Sequence, residues 1–373
     1  MKRAELPALT GARFYAALLV FLNHVVFVPG CEELRRWPLF TLGGLGVTFF
    51  FVLSGFILAY NYEPTFRTAV TVPDYRRFLG DRFSKIYPTY LATLFLAIPI
   101  SIASPTLPLD PLAVPVQIAL VQCWLPFALP PYHAYLNTVG WSISCETLFY
   151  LGAPLMIRAV SRTAGMAAPL AVLVCSMWAV HATLWLVLGS GDAAAQEYFM
   201  ERFAPVRSLD FAVGIVVGWA QAHDRLPKGR SSATLPWLGL AWLVLAVAFR
   251  DLLAPWIRGP VVFMPGILMI LVGLASGQGT LARHLGRPWL RHLGACSFAF
   301  YMGHHLVLRG LKGALVKAAV VPSTALGGVL VAVALIATCL LACAAYRWFE
   351  MPIQRWIRRR IRRMPTSGSP PST

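Results

Sequence analysis

Three ionisable side chains interrupt stretches of sequence that are otherwise strongly apolar. Arg13 and His24 lie within the first apolar segment, and Glu146 lies within the later stretch NTVGWSISCETLFY. An ionisable group at bilayer depth costs roughly 2.5 to 3.5 kcal/mol on insertion scales, so such groups are rare and usually functional. A histidine accepts a proton at neutral pH, an arginine binds an anion or a carbonyl oxygen, and a carboxylate orients either of them. The three residues are therefore candidates for a centre that performs proton transfer.

The spacing of Arg13 and His24 places both side chains on one face of a helix. They are eleven positions apart in the sequence, which in an α-helix is about three turns plus 20° and roughly 16 Å of rise. We expect Arg13 near the cytoplasmic end and His24 near the other end. The structural alternative is that Arg13 extends to lipid headgroups and that His24 is a hydrogen-bonded interface residue. Glu146 is then a candidate orienter of His24 or a partner of Arg13.

Two further pairs of charged residues lie at the ends of apolar segments. Arg82 and Lys85 are one helical turn apart at the start of the third apolar segment, where they would attract a polyanionic ligand or anchor the helix. Arg207 and Asp210 are three residues apart, a spacing at which helical residues form ion pairs. The first pair is a candidate phosphate site, and the second is open to a structural or a binding role.

The histidines and cysteines do not form a recognisable metal motif. His304 and His305 are consecutive, so their side chains diverge by about 100°, and we expect one to face a cavity while the other packs. Neither belongs to an HExxH motif or a Cys/His cluster, so no metal site is predicted. The seven cysteines include no CxxC pair, and we interpret them as small apolar core residues rather than disulfides or metal ligands.

Composition places the chain in a membrane. Of its 373 residues, 58% are hydrophobic and 13% are charged, against roughly 25% charged residues in soluble domains. Apolar stretches of about 20 residues recur along the chain, which predicts an all-α polytopic integral membrane protein. The formal net charge is +17, but the basic residues lie between apolar segments and at the C-terminal end. Membrane topology explains this distribution better than nucleic-acid binding does.

Charge distribution also sets the number of crossings. The start MKR and the arginine-rich end both predict a cytoplasmic location, so an even number of crossings is required. Segment 112–129 contains Pro115 and Pro126, and we treat it as a non-spanning excursion, which leaves ten crossings and puts the basic connections inside. We therefore predict a membrane domain over 1–352 and a basic cytoplasmic tail over 353–373 with a disordered end. The eleven apolar segments considered are 9–28, 39–60, 86–104, 112–129, 140–157, 167–188, 206–221, 233–249, 260–276, 293–309 and 323–346.

The order of these motifs resembles the membrane-bound acyltransferase-3 family of bacterial O-acyltransferases, in its stand-alone form. The family's Arg, ten residues, then His pattern is similar to Arg13 and His24, and its Gly-rich segment resembles GGLGVTFFFVLSGF. The family's basic motif ending in proline appears here with Lys85 in place of its second arginine, which keeps the charge but loses bidentate geometry. Further similar segments are NTVGWSISCETLFY, which supplies Asn137, Trp141, Ser142 and Glu146, and RSLDFAVG, SFAFYMGHH and FEMP.

The resemblance implies transfer of an acyl group, typically acetyl, from cytoplasmic acyl-CoA to a hydroxyl of an extracytoplasmic or lipid-linked sugar. It implies a multi-pass protein of the bacterial inner membrane with no permanently bound cofactor, and it leaves the oligomeric state open. His24 would be the general base, Glu146 would orient or polarise it, and Arg13 would hold the donor. Arg82 and Lys85 would bind the phosphates of CoA, and the residues expected to bind the acceptor are Asn137, Trp141, Arg207 and His304.

Two non-enzymatic alternatives stay open at this point. A transporter or flippase for a lipid-linked glycan would also line a pathway with buried arginine, histidine and glutamate, although no repeated halves are visible in the sequence. A membrane scaffold would explain the helices but would leave Arg13, His24 and Glu146 without a purpose. Covalent incorporation of an acyl group distinguishes the enzyme from both.

Overall fold

A computed structural model describes residues 3–103, 110–125, 134–189 and 193–363. Within these ranges every regular element is helical. The first eight α-helices are α1 Pro7–Val25, α2 Gly43–Phe66, α3 Val72–Ala103, α4 Ala113–Ile118, α5 Trp141–Ser161, α6 Ala167–Leu188, α7 Ala193–Glu197 and α8 Ala204–Ala222. The remaining helices are α9 Arg230–Ala248, α10 Pro260–Ala275, α11 Gly279–Leu285, α12 Pro288–Ala295, α13 Ser297–Lys317, α14 Thr324–Ala345 and α15 Met351–Arg363.

The described residues include nine helical stretches that are long and apolar enough to cross a bilayer. They contain α1, α2, α3, α5, α6, α8, α9, α10 and α14. Helix α13 has 21 residues and is about 31 Å long, enough for a tenth crossing, although Arg309, Lys312 and Lys317 make it less apolar. The predicted all-α polytopic architecture is therefore confirmed, with nine such stretches among the described residues. A tenth crossing and the orientation of the two termini stay predictions.

The proline-rich segment 112–129 forms only a short helix where the structure describes it. Helix α4 has six residues and is roughly 9 Å long, far short of a bilayer core of about 30 Å. The chain then turns at residues 119–124, and residues 126–129 lie outside the described ranges. This part of the chain agrees with the prediction of a non-spanning excursion.

Two connections predicted from hydropathy are in fact largely helical. Helix α3 begins at Val72 rather than near residue 86, so most of the predicted loop 61–85 is helix. The predicted tail begins as α15, and Ile361 packs close to Gly80 of α3 while Arg358 pairs with Asp81 at 3.1 Å. Hydropathy did not predict these two helical stretches because both are rich in charged residues, and a contact between charged side chains helps to join them. The predicted disordered end, 364–373, lies outside the described residues, and the domain boundary at 352 stays a prediction.

The centre of the fold is the packed pair α2 and α8. Most of the apolar window of each helix is buried, whereas α6 and α14 are mainly exposed and form the lipid-facing periphery. A Cβ at Gly55 would lie 2.0 Å from the carbonyl oxygen of Phe211, and one at Gly214 would lie 2.0 Å from that of Val52. Small residues therefore set the spacing of α2 and α8, as in other membrane helix pairs.

Candidate active site

Helix α1 carries residues that line two different cavities. Arg13 lines a cavity of about 110 Å³, here called the Arg13 cavity. His24 lines a cavity of about 550 Å³, here called the His24 cavity. Val47 and Tyr301 line both, so these two side chains form the wall between the cavities. The two depths predicted for Arg13 and His24 thus correspond to two separate cavities.

The hydrogen bonds of His24 select one tautomer. Nδ1 of His24 lies 2.8 Å from the carbonyl oxygen of Val20 and 3.1 Å from Nε2 of His304. Nδ1 of His304 lies 2.6 Å from the carbonyl oxygen of Tyr301. Because a carbonyl oxygen only accepts, Nδ1 of each neutral ring carries the proton and Nε2 of His304 is an acceptor. Nε2 of His24 therefore keeps its lone pair and is the atom able to take a proton.

His304 and Asn137 lie behind the cavity walls. His304 is fully buried and lines neither cavity. Its contact with Nδ1 of His24 would let it position that ring, and the acceptor-binding role predicted from sequence stays a prediction. Asn137 is also buried, and its side-chain amide donates to the carbonyl oxygen of Met302 at 3.0 Å. Among the described residues neither side chain is placed to touch an acceptor in the His24 cavity.

The Arg13 cavity collects cations from two helices. Arg82 and Lys85 of α3 line it together with Arg13, and the charges of both arginines act on Lys85. Within the described part of the chain, Arg13 and Lys85 have no hydrogen bond or ion pair to another side chain. Unpaired cations in a confined site are well suited to bind the oxygens of an anion. The structure thus brings together the three residues predicted to bind the donor.

Glu146 lies in the Arg13 cavity and not beside His24. It lines that cavity and accepts a hydrogen bond from the hydroxyl of Tyr150 at 2.6 Å. The positive charges of Arg13, Lys85 and Arg82 act on it. Of the two roles predicted for Glu146, the geometry fits the partner of Arg13, while the ring of His24 is oriented by a backbone carbonyl and His304. Glu146 lines the same cavity as Arg13, so the two charges act on each other without a direct ion pair.

Glu350 is a member of this cluster that sequence reasoning missed. It is buried at 4% exposure, and its principal opposite charges are Lys85 and Arg13. Glu350 lies in the stretch FEMP, just after the last apolar segment, where a charged residue normally marks the end of a membrane crossing. The available signal was an acidic residue directly after a long apolar run, where an unpaired carboxylate would be costly.

The His24 cavity is lined by several ion pairs and by Trp141. Arg207 pairs with Asp210 at 3.0 Å and donates to the hydroxyl of Thr48 at 2.8 Å, and the two charged side chains are each 3% exposed. The structure thus confirms the ion pair that the spacing of these two residues predicted. The ring of Trp141 lines the cavity and meets Phe51 edge-on. The predicted acceptor residues Trp141 and Arg207 therefore do face the cavity that contains His24.

Loops supply most of the charge at the mouth of the His24 cavity. Arginines converge there from connections that are far apart in sequence, and their location in loops between crossings hid them from a search for ionisable groups inside apolar segments. Arg202 pairs with Glu197 at this mouth. The charged lining residues beyond Arg207 are Arg35, Arg36, Glu197, Glu201, Arg202, Arg250, Asp251 and Arg258.

A model of a known family, described as an acyltransferase domain, matches residues 6–348. The match includes helices α1 to α14 and the residues that line both cavities. The chain belongs to this acyltransferase family. The predictions of the acyltransferase-3 family and of an O-acyltransferase enzyme are therefore confirmed, as is the multi-pass membrane location.

Three relatives illustrate the range of the family. The acyltransferase MdmB of Streptomyces mycarofaciens is 34% identical over 329 residues, which is 82% of this chain and 79% of that protein. The putative peptidoglycan O-acetyltransferase YrhL of Bacillus subtilis is 24% identical over 94% of this chain, which spans only 55% of that relative. The exopolysaccharide production protein ExoZ of Rhizobium meliloti is 27% identical over 88% of this chain and 94% of that protein. No solved structure was found to match the chain.

Membership of the acyltransferase family gives the two cavities a chemical interpretation. Acyl transfer needs a base for the attacking group and cationic groups for the donor and the developing oxyanion. His24, with a free Nε2, satisfies the first need, and the cations of the Arg13 cavity satisfy the second. The individual roles of these residues stay predictions.

Proposed function

We propose that this acyltransferase moves an acyl group, typically acetyl, from a cytoplasmic acyl-CoA to a hydroxyl of an extracytoplasmic or lipid-linked glycan in the bacterial inner membrane. The donor occupies the Arg13 cavity and the acceptor occupies the His24 cavity. A glycan acceptor is supported by two relatives, one named as a putative peptidoglycan O-acetyltransferase and the other as an exopolysaccharide production protein.

The Arg13 cavity supports an acyl-CoA donor. Lys85 and Arg82 bind phosphate oxygens, since charge-assisted hydrogen bonds to phosphate are the strongest contacts such side chains make. Arg13 holds a carbonyl oxygen of the donor closer to the wall at Tyr301. Glu146 and Glu350 keep the net charge of the cluster small, so that the cations are tolerated at bilayer depth before the donor arrives.

The reaction is a direct transfer between the two substrates. Nε2 of His24 removes the proton from the acceptor hydroxyl, and the hydroxyl oxygen forms a bond to the thioester carbonyl carbon. The tetrahedral intermediate places its negative charge on the former carbonyl oxygen, near Arg13 and the hydroxyl of Tyr301. Its collapse breaks the carbon–sulfur bond, the thiolate of CoA leaves, and the proton held by His24 returns to that sulfur or to solvent. Each step uses only the two substrates and these side chains.

One observation carries this proposal: Val47 and Tyr301 line both cavities. The unpaired cations lie on one side of the wall and the histidine with the available lone pair lies on the other. Two reactants that enter from opposite ends can therefore meet at a single point, which is the arrangement that transfer across a membrane requires.

The decisive experiment follows a labelled acyl group in cells and in vesicles. Isogenic bacteria that express no enzyme, the wild type, His24→Ala or His284→Ala receive isotopically labelled acetate, and their glycans and glycolipids are analysed by mass spectrometry. His284 is the matched control because it lines neither cavity. We expect a labelled acetyl increment only with the wild type and His284→Ala, and the modified species identifies the acceptor.

The donor is tested in inverted and right-side-out vesicles that contain the purified protein and that acceptor. Labelled acetyl-CoA added to the cytoplasmic face should support transfer, and the same compound added only to the other face should not. Transfer from the wrong face, or a change of glycan sidedness with no change of mass, would overturn the proposal.

A further inference from the structure

A cluster of three metal-binding side chains lies outside both cavities, where α12 meets the end of α14. The ligand atoms of His292, Cys296 and Cys343 all lie within 4.8 Å of one another. Nε2 of His292 is 3.9 Å from Sγ of Cys296. None of the three residues lines the Arg13 cavity or the His24 cavity, so acyl transfer does not account for them.

The cluster consists of side chains spaced by one helical turn. His292 and Cys296 are four residues apart at the end of α12, and Cys339 and Cys343 are four residues apart on α14. Residues at this spacing lie on the same face of a helix. Cys339 lies one turn before Cys343 on the same face of α14 but is not one of the three residues whose ligand atoms lie within 4.8 Å of one another. Three ligands from two helices leave one position of a tetrahedral ion to a further ligand.

The distance between His292 and Cys296 fits zinc after a small movement, and the other two separations are no longer than 4.8 Å. In a tetrahedral site with bonds of about 2.3 Å to sulfur and about 2.0 Å to nitrogen, the sulfur and nitrogen ligands are roughly 3.6 Å apart. The observed 3.9 Å between His292 and Cys296 therefore needs to shorten by only a few tenths of an ångström. Two thiolates and an imidazole are also the ligand types that zinc prefers.

We propose that His292, Cys296 and Cys343 bind one Zn²⁺, with the fourth position taken by Cys339 or by water. Binding displaces the protons of the two thiols, and the two thiolates neutralise the charge of the ion. That neutralisation matters because Cys296 is buried and Cys343 is half-buried beside the lipid-facing helix α14. His292 is exposed, which gives the ion a route from solvent.

A zinc ion at this position would fasten α14 to the helices beside the donor cavity. Few residues of α14 are buried inside the protein, so an additional link to α12 would constrain its position. On one side of the ion, Gly294 of α12 lies against the backbone of Thr10, one turn before Arg13. On the other side, Glu350 follows Cys343 by seven residues and acts on Lys85. The metal is therefore structural and steadies the two edges of the Arg13 cavity.

The test measures metal content in the untagged, full-length protein purified in detergent. After incubation with Zn²⁺ and removal of the unbound ion, elemental analysis should find one zinc per chain in the wild type. Cys296→Ser, Cys343→Ser and His292→Gln should each retain less than a tenth of it. Cys175→Ser is the matched control, since Cys175 is an exposed thiol on α6, and it should keep the full content.

Two readouts separate a specific site from misfolding and from other chemistry. Replacement by Co²⁺ should give thiolate-to-cobalt charge-transfer absorption in the wild type and in Cys175→Ser, and His292→Gln should lose it while still eluting as a monodisperse protein. Chelation should lower the melting temperature, and zinc alone should restore it. Absence of stoichiometric zinc from the wild type, full zinc content in His292→Gln, or an intact mass showing a Cys296–Cys343 disulfide would each overturn the proposal.

Discussion

His24 and Arg207 in one cavity, and Arg13 and Lys85 in the other, differ in how far their polar groups are already satisfied. In the His24 cavity, Arg207 is paired with Asp210 and the proton of His24 is held by two acceptors. In the Arg13 cavity, Arg13 and Lys85 have no direct side-chain partner among the described residues. A satisfied network fixes the geometry of a reacting group, whereas unpaired cations await a ligand that supplies the missing charge. The difference indicates that one cavity is organised for chemistry and the other for binding.

Removal of the base should have the largest effect. His24→Ala removes the lone pair of Nε2 from the His24 cavity, and loss of a positioned base costs about 10² to 10⁴ in rate. The measurement is single-turnover transfer of a labelled acetyl group in vesicles, with His284→Ala as the control. Turnover within a few-fold of the wild type would remove His24 from the mechanism and would end the contrast between the two cavities.

Breaking the buried ion pair tests whether the His24 cavity is internally fixed. Asp210→Ala leaves the Arg207 guanidinium buried at 3% exposure with Thr48 as its remaining partner. We expect a loss of roughly 3 to 5 kcal/mol in stability, because an uncompensated charge stays buried. Thermal unfolding in detergent measures this loss, and the double variant Asp210→Leu with Arg207→Met should recover most of it. Equal melting temperatures for the single variant and the wild type would contradict the proposed fixation.

Removal of an unpaired cation should affect binding and leave stability intact. Lys85→Ala removes a charge-assisted contact to phosphate, worth about 1.5 to 3 kcal/mol, so the KM for acyl-CoA should rise by roughly 10-fold to 100-fold with little change in kcat. Lys85→Arg restores the charge and should return KM to near the wild-type value. If kcat falls while KM is unchanged, Lys85 acts in the transfer step and the division between binding and chemistry is wrong.

The smallest effect is expected at the positioning histidine. His304→Gln keeps a buried polar group but weakens the acceptor that faces Nδ1 of His24. We expect activity to fall by about 10-fold, the lower end of the loss seen for partners that orient a functional histidine. The pH profile of kcat should change shape, because the tautomer of His24 is no longer held by two acceptors. An unchanged profile with merely lower stability would assign His304 a packing role only.

Sequence reasoning succeeded where the necessary information lies within one segment. The spacing within each pair is fixed by the helix that carries it. Helical periodicity therefore predicted the different depths of Arg13 and His24, and it also predicted the ion pair of Arg207 and Asp210. The bond between His24 and His304 joins residues 280 positions apart, and periodicity contains no information on it. For the same reason Glu146 was assigned two possible partners, and the fold was needed to place it beside Arg13.

The helices that hydropathy missed have a different physical origin. The first turns of α3 and the whole of α15 mix apolar residues with many charged ones, and they contact each other through Arg358 and Asp81. The arginines at the mouth of the His24 cavity were missed because they lie in loops. Their convergence depends on which membrane-crossing helices are neighbours, and the lengths of the apolar segments do not determine how these helices are arranged.

The wall formed by Val47 and Tyr301 also has an electrical consequence. The hydroxyl of Tyr301 lies 2.9 Å from that of Ser142 and donates to the carbonyl oxygen of Val139 at 3.2 Å, so the ring is tethered in place. Moving one elementary charge through 100 mV requires about 2.3 kcal/mol, and the phosphates of a coenzyme would carry several charges through that field. Acyl transfer moves no net charge between the two cavities when the proton of the acceptor hydroxyl returns to the sulfur of CoA. For that route we expect a transfer rate with little dependence on the membrane voltage.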